Sequence, residues 1–143
     1  MVDRYVLDTS ALIAYVQNEP GAETVGKILR RAEEKVSTVF ISFITLAELY
    51  YIIWQEEGES AAKELIVLVK SLPISIIESQ ERVTLFAGRL KANFRLSLAD
   101  AFVAATALII TGVLIHKDPE LEQVNKLMTT EPLPFKSKKY KTA

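Results

Sequence analysis

No cysteine occurs in the 143 residues. Its absence excludes disulfides, thiolate zinc sites and a cysteine nucleophile, and nothing contradicts a reducing cytoplasm. Histidine occurs once, at His116, so any metal must be held by oxygen. Excess charge of one sign is lacking as well: 17 Lys and Arg face 18 Asp and Glu, and the formal net charge of −1 gives no overall basic field for a purely electrostatic nucleic-acid binder. The chain does not open on a basic segment followed by an apolar one, so no signal peptide is expected and a cytoplasmic protein starting at Met1 is. Nor is there an unbroken apolar run of about 20 residues, the length a membrane span needs. Val36 to Trp54 is interrupted by Glu48, and Leu96 to Ile115 by Asp100 and Gly112; both read as core rather than as spans.

What is present alternates between two periodicities. Arg4 to Leu7 reads as a strand, Ser10 to Gln17 as a helix ended by the turn residues Asn18, Glu19, Pro20 and Gly21, and Ala22 to Glu34 as a second helix. Val36 to Ile41 alternates and is β-branched, a strand, after which Thr45 opens a helix reaching Glu57. Helix Ser60 to Ser71, strand Ile74 to Ile77, helix Gln80 to Phe94 and the apolar helix Leu98 to Thr111 follow. Val113 to Ile115 is a fourth strand, Asp118 and Pro119 start a short helix to Lys126, and a weak last strand is expected near Leu127 to Thr129. Neither a repeat nor a low-complexity segment interrupts this order. Parallel pairing needs crossover connections, so the pattern predicts one α/β domain over residues 1–143: a three-layer α/β/α sandwich with a mostly parallel central sheet of four to five strands. A chain of this length buries roughly two thirds of its unfolded surface, enough for a true core.

Four carboxylates stand out. Asp8 breaks the apolar run "YVLDTSALIAYV" where the first strand should end, and Asp118 follows the fourth strand, so both fall on the carboxyl edge, where such sheets bind ligands. Glu48 in "FITLAELYYIIW" and Asp100 in "LSLADAFVAATALII" lie near the starts of helices with little polar company. Each acid has an ordinary reading. Asp8 and Asp118 suit helix caps, and Thr45 with Glu48 and Ser97 with Asp100 have capping-box spacing. The other reading is a metal site: a buried ionised carboxylate costs several kcal/mol unless it is paired or binds metal. Four such groups would repel one another, and a hard divalent cation, Mg²⁺ or Mn²⁺, relieves both costs.

The segments "VLDTSALIAYV", "ISFITLAELYYII", "LSLADAFVAATAL" and "VLIHKD" resemble, in order and context and across essentially the whole chain, the PIN-domain ribonucleases, and most closely the VapC toxins of bacterial and archaeal toxin–antitoxin pairs. The resemblance implies metal-binding and catalytic roles for Asp8, Glu48, Asp100 and Asp118, with a supporting hydrogen bond from Ser10; Ser97, from its cap position, is expected to add another. The resemblance also implies Mg²⁺- or Mn²⁺-dependent cleavage of single-stranded RNA, leaving a 5′ phosphate and a 3′ hydroxyl, a cognate antitoxin, and a homodimer. One departure is His116, where the family usually carries Thr or Ser two residues before the fourth acid; it reads as a strand-end histidine with a satisfied ring nitrogen or as a base. Lys136, Lys138, Lys139 and Lys141, in a tail without acids, are read either as a solvated end or as RNA contacts; Arg30, Arg31 and Lys35 also crowd one helix end. Tyr50 and Trp54 share a helix face, as core, dimer surface or base-stacking platform. Rival readings are a non-catalytic or rRNA-processing PIN-domain RNA binder, and a phosphatase resembling the haloacid dehalogenases, which would want a second aspartate where Ser10 stands.

Overall fold

The structure is a computed structural model that describes residues 2–135. The tail lysines 136, 138, 139 and 141 lie outside them. In chain order the elements are β1 (Asp3–Leu7), α1 (Thr9–Val16), α2 (Ala22–Glu33), β2 (Ser37–Ser42), α3 (Phe43–Glu57), α4 (Glu59–Ser71), β3 (Ser75–Ile77), α5 (Glu81–Asn93), α6 (Leu98–Ile110) and β4 (Val113–His116). A 3-10 helix (Pro119–Val124) and β5 (Thr130–Pro132) complete them. The five strands form one sheet in the order β3-β2-β1-β4-β5, and every pairing is parallel. Since alternate strand side chains point to opposite faces, Val6 and Leu114 pack beneath α5 and α6, while Leu7 and Ile115 pack against α1 to α4. The result is a helix layer on each side of a buried sheet, as the hydrophobic pattern predicts.

Two features position the functional edge. The chain leaves β1 toward β2 on one side, and β4 leads to β5 on the other, so the order reverses between β1 and β4, the switch point where open α/β sheets take ligands. Helix α6 ends at the opposite edge, where Arg4 Nη1 donates to Ile110 O at 3.0 Å. Its first turn is therefore at the carboxyl edge, about 20 Å away for a helix of 13 residues. Ala101, Val103, Ala104, Ala105, Thr106 and Ala107 of α6 are buried, and their small side chains let it lie close to the sheet.

Local expectations needed three corrections. Helix α3 starts at Phe43, not Thr45; Ser42 caps it by accepting from the Ile44 N–H, and Thr45 Oγ is buried without a partner, so Thr45 and Glu48 form no capping box. The short helix after Asp118 is a 3-10 turn ending at Val124, and the last strand lies at Thr130–Pro132 rather than Leu127 to Thr129. There the backbone pairs with β4, Leu114 opposite Thr130 and His116 opposite Pro132. Among the described residues, no helix is long and apolar enough to cross a membrane.

Candidate active site

Asp8 leaves β1 in extended geometry and caps α1, its Oδ2 accepting from Ser10 N at 3.1 Å and from Ser10 Oγ at 2.5 Å. Its own N–H donates to Ile115 O at 2.9 Å. Ser10 Oγ accepts in turn from the Lys117 N–H at 2.8 Å, so one hydroxyl joins the segments that follow β1 and β4. Asp8 is only 2 % exposed, and its Oδ1 is buried with no hydrogen-bond partner. Cap and ligand are thus compatible readings, one for each oxygen. Burial raises the Asp8 pKa above its ordinary value; the Ser10 bonds oppose this, and the charge of Asp118 adds to it.

Glu48 is half-buried on α3, and Thr9 Oγ donates to its Oε1 at 2.6 Å. Burial raises its pKa first, Thr9 opposes, and the Asp8 and Asp118 charges push it further. Thr9 is a site residue that the sequence reading missed, although the hydroxyl directly after Asp8 was a visible signal. Asp100 occupies the first turn of α6, where Ser97 Oγ accepts its N–H at 3.1 Å. Its carboxyl is pushed up to about 8, by burial first and then by Asp8, Asp118 and Glu48, while a bond with Ser97 opposes the rise.

Asp118 follows β4. Its Oδ1 accepts from the Glu120 N–H at 3.0 Å, and its own N–H donates to His116 Nδ1 at 3.1 Å. Because His116 Nδ1 receives that proton, the ring's own proton sits on Nε2 and is donated to Glu122 Oε2, 2.6 Å away. The ring is fully buried and stacks on Phe135, with centroids 6.0 Å apart. His116 is therefore the strand-end histidine with satisfied nitrogens, and it supplies an acceptor to the Asp118 N–H. Lys117 turns the other way, its Nζ donating to Pro20 O at 2.9 Å and facing Glu19 Oε1 at 3.4 Å. An open cleft of about 300 Å³ lies beside these groups, lined by Ser10, Ile13, Glu19, Lys117, Asp118 and Phe135 among others. Tyr50 packs partly against the core and meets Trp54 edge-on at 5.5 Å, while Tyr51 and Trp54 are exposed.

The four acids thus meet on one edge and act on one another electrostatically. Among the described residues, no three His, Cys, Asp or Glu side chains stand close enough to form a ready metal cage. Mg²⁺ does not require one, since it usually keeps several waters and takes one or two carboxylates. The donor set fits such an ion: all-oxygen groups, an unpartnered buried Asp8 Oδ1, and an Asp100 on which three other carboxylates act.

The model of the family described as "PIN domain" matches residues 5–127. No curated protein sequence matches the chain. Similar solved structures include VapBC2 from Rickettsia felis bound to a DNA fragment from its promoter, at TM-score 0.71 and 19 % identity over 92 % of this chain and 99 % of that one. DNA-bound VapBC from Salmonella typhimurium is similar at TM-score 0.73 and 17 % identity, covering 92 % and 98 %. VapC20 of Mycobacterium tuberculosis, a sarcin–ricin loop cleaving toxin, is similar at 0.66 and 16 %, covering 84 % and 94 %. The parallel sheet, the acids on its carboxyl edge and a family match across nearly all of the described chain lead to one conclusion: this protein belongs to the PIN-domain family.

Proposed function

We propose that this protein is a metal-dependent endoribonuclease acting on single-stranded RNA, the toxin of a VapBC-type pair. The observation that carries the reading is the mutual charge of Asp8, Glu48, Asp100 and Asp118 at the sheet's switch point, with one buried Asp8 oxygen left unpartnered. Asp8, Glu48 and Asp100 would hold Mg²⁺ or Mn²⁺, and Asp118 would complete or tune the site. When bound, the ion lowers the pKa of an attacking water and offsets charge on the phosphoryl group. The chain's own residues orient the donors. Ser10 holds Asp8 Oδ2 and leaves Oδ1 without a partner, Thr9 fixes Glu48, and Ser97 fixes the turn that carries Asp100. No nucleophile from the protein is needed, and the products would carry a 5′ phosphate and a 3′ hydroxyl.

The similarity to VapBC complexes supports an antitoxin partner, whose basic residue would compete for the acids. A homodimer and RNA contacts from Lys136, Lys138, Lys139 and Lys141 belong to the same reading. His116 supports the acid site through its bond to the Asp118 N–H. The test is incubation of pure protein with single-stranded RNA in Mn²⁺ and in EDTA. Cleavage that needs metal and disappears in Asp8→Asn is expected; no metal-dependent cleavage surviving repurification would overturn the proposal.

A further inference from the structure

Outside the carboxylate cluster, a single side chain joins two acid-bearing segments. Gln123, in the 3-10 helix after Asp118, accepts from the Arg95 N–H through Oε1 at 3.0 Å and donates through Nε2 to Arg95 O at 3.1 Å and to Glu120 O at 2.8 Å. Lys91 Nζ donates to Leu96 O at 3.0 Å, and Ser97 caps α6 three residues before Asp100. Exposed loops commonly leave their polar backbone groups to water, whereas this one is held at three successive residues.

What the clamp leaves out is the Arg95 side chain. It is exposed, and among the described residues its guanidinium has no hydrogen bond, ion pair or ring partner. Lys91, four residues before it, is engaged with Leu96 O. Arg95 stands two residues before Ser97, the cap of the helix that carries Asp100. A fixed loop thus carries an unpartnered guanidinium on the segment that leads into the helix of Asp100, where the acids themselves would repel a polyanion. Its planar fork matches two oxygens of a phosphate.

We infer that Arg95, held by Gln123 between the helix carrying Asp100 and the turn after Asp118, anchors an RNA backbone phosphate flanking the one that reaches the acids. The inference rests on the nuclease reading for its substrate, but it can be tested apart from cleavage. The experiment is fluorescence anisotropy of a labelled single-stranded RNA titrated with the full chain in EDTA, across a series of KCl concentrations. Arg95→Ala should weaken binding and reduce the log–log salt slope by about 0.7, the loss of one single-strand phosphate contact. Arg95→Lys should restore the slope while binding less tightly than the parent, and Lys63→Ala, on α4, should leave the slope as it was. Gln123→Leu should weaken binding in the parent background and hardly at all in Arg95→Ala, because the two act as one unit. Parental affinity and slope in Arg95→Ala, or no salt-dependent RNA binding by the parent, would overturn the inference. If the parent cleaves RNA in Mn²⁺ while Arg95→Ala binds normally, only the anchor falls; if Arg95→Ala loses the slope and no protein cleaves, the anchor stands and the nuclease reading falls.

Discussion

A carboxylate that caps a helix with one oxygen keeps a second for other work, and Asp8 divides in this way, with Ser10 on Oδ2 and nothing on Oδ1. Ser10→Ala removes the donor to Asp8 and strands the Lys117 N–H. We expect a loss of about 1–3 kcal/mol in chemical denaturation and metal affinity lower by about 10–100-fold in calorimetry, the usual size of a lost supporting hydrogen bond at a metal site. Asp100 separates cap from ligand more sharply. A residue that merely served the helix start would cost stability when changed to Asn and leave cleavage intact. In the acid cluster, Asp100→Asn instead removes repulsion from Asp8, Asp118 and Glu48. The variant should melt at the same or a higher temperature than the parent in EDTA at pH 8, gain less from Mn²⁺, and lose cleavage. A destabilised, fully active variant would return Asp100 to a capping role.

The decisive element is the junction of β4 with the 3-10 helix. His116 ends the strand, holds the Asp118 N–H with one ring nitrogen and Glu122 with the other, and accepts the Leu133 N–H on its carbonyl at 2.7 Å. Truncating it opens a cavity beneath Phe135 and leaves a partly buried backbone donor unpaired. His116→Ala should therefore cost about 3 kcal/mol in denaturant unfolding and reduce cleavage through misplaced Asp118. Glu122→Gln, whose amide oxygen still accepts the Nε2 proton, should be milder on both counts; equal effects would detach Asp118 from the ring. The turn before α2 faces a different constraint. Gly21 has φ +103°, and a Cβ there would lie 3.0 Å from Leu133 Cβ, so a side chain would be strained by both conformation and space.

For the whole molecule, the acids couple stability to pH. Asp8, Glu48 and Asp100 all have pKa values raised above those of the unfolded chain, Asp100 to about 8. Between about pH 4 and 8 the folded state therefore holds more protons than the unfolded one, and stability falls as pH rises through that window. Glu122, whose pKa is lowered from 4.5, acts in the opposite direction only below that value. Thermal melts in EDTA should show Tm declining from pH 5 to 8.5, with the stabilisation by Mn²⁺ growing over the same range as metal displaces protons. A Tm that is flat or rises with pH in EDTA would argue against crowded acids.

The order of elements was legible in the chain because periodicity and turn residues act over a few positions: the apolar run from Val6 to Val16 broken at Asp8, the turn at Asn18 to Gly21, the Ser97 cap. The odd placement of Asp100 in an apolar helix was legible for the same reason. Sequence order also put Asp8 and Asp118 on one edge, once a parallel sheet was assumed. Tertiary structure alone decided which groups hold these acids: Thr9 on Glu48 across 39 residues, Lys117 N–H on Ser10 across 107, Gln123 on Arg95 across 28. It also moved the start of α3 to Phe43 and the last strand to Thr130–Pro132. Such pairings carry no local pattern, since any hydroxyl or amide suits them. They are selected by where packing of the two helix layers brings the backbone, and that depends on the whole chain at once.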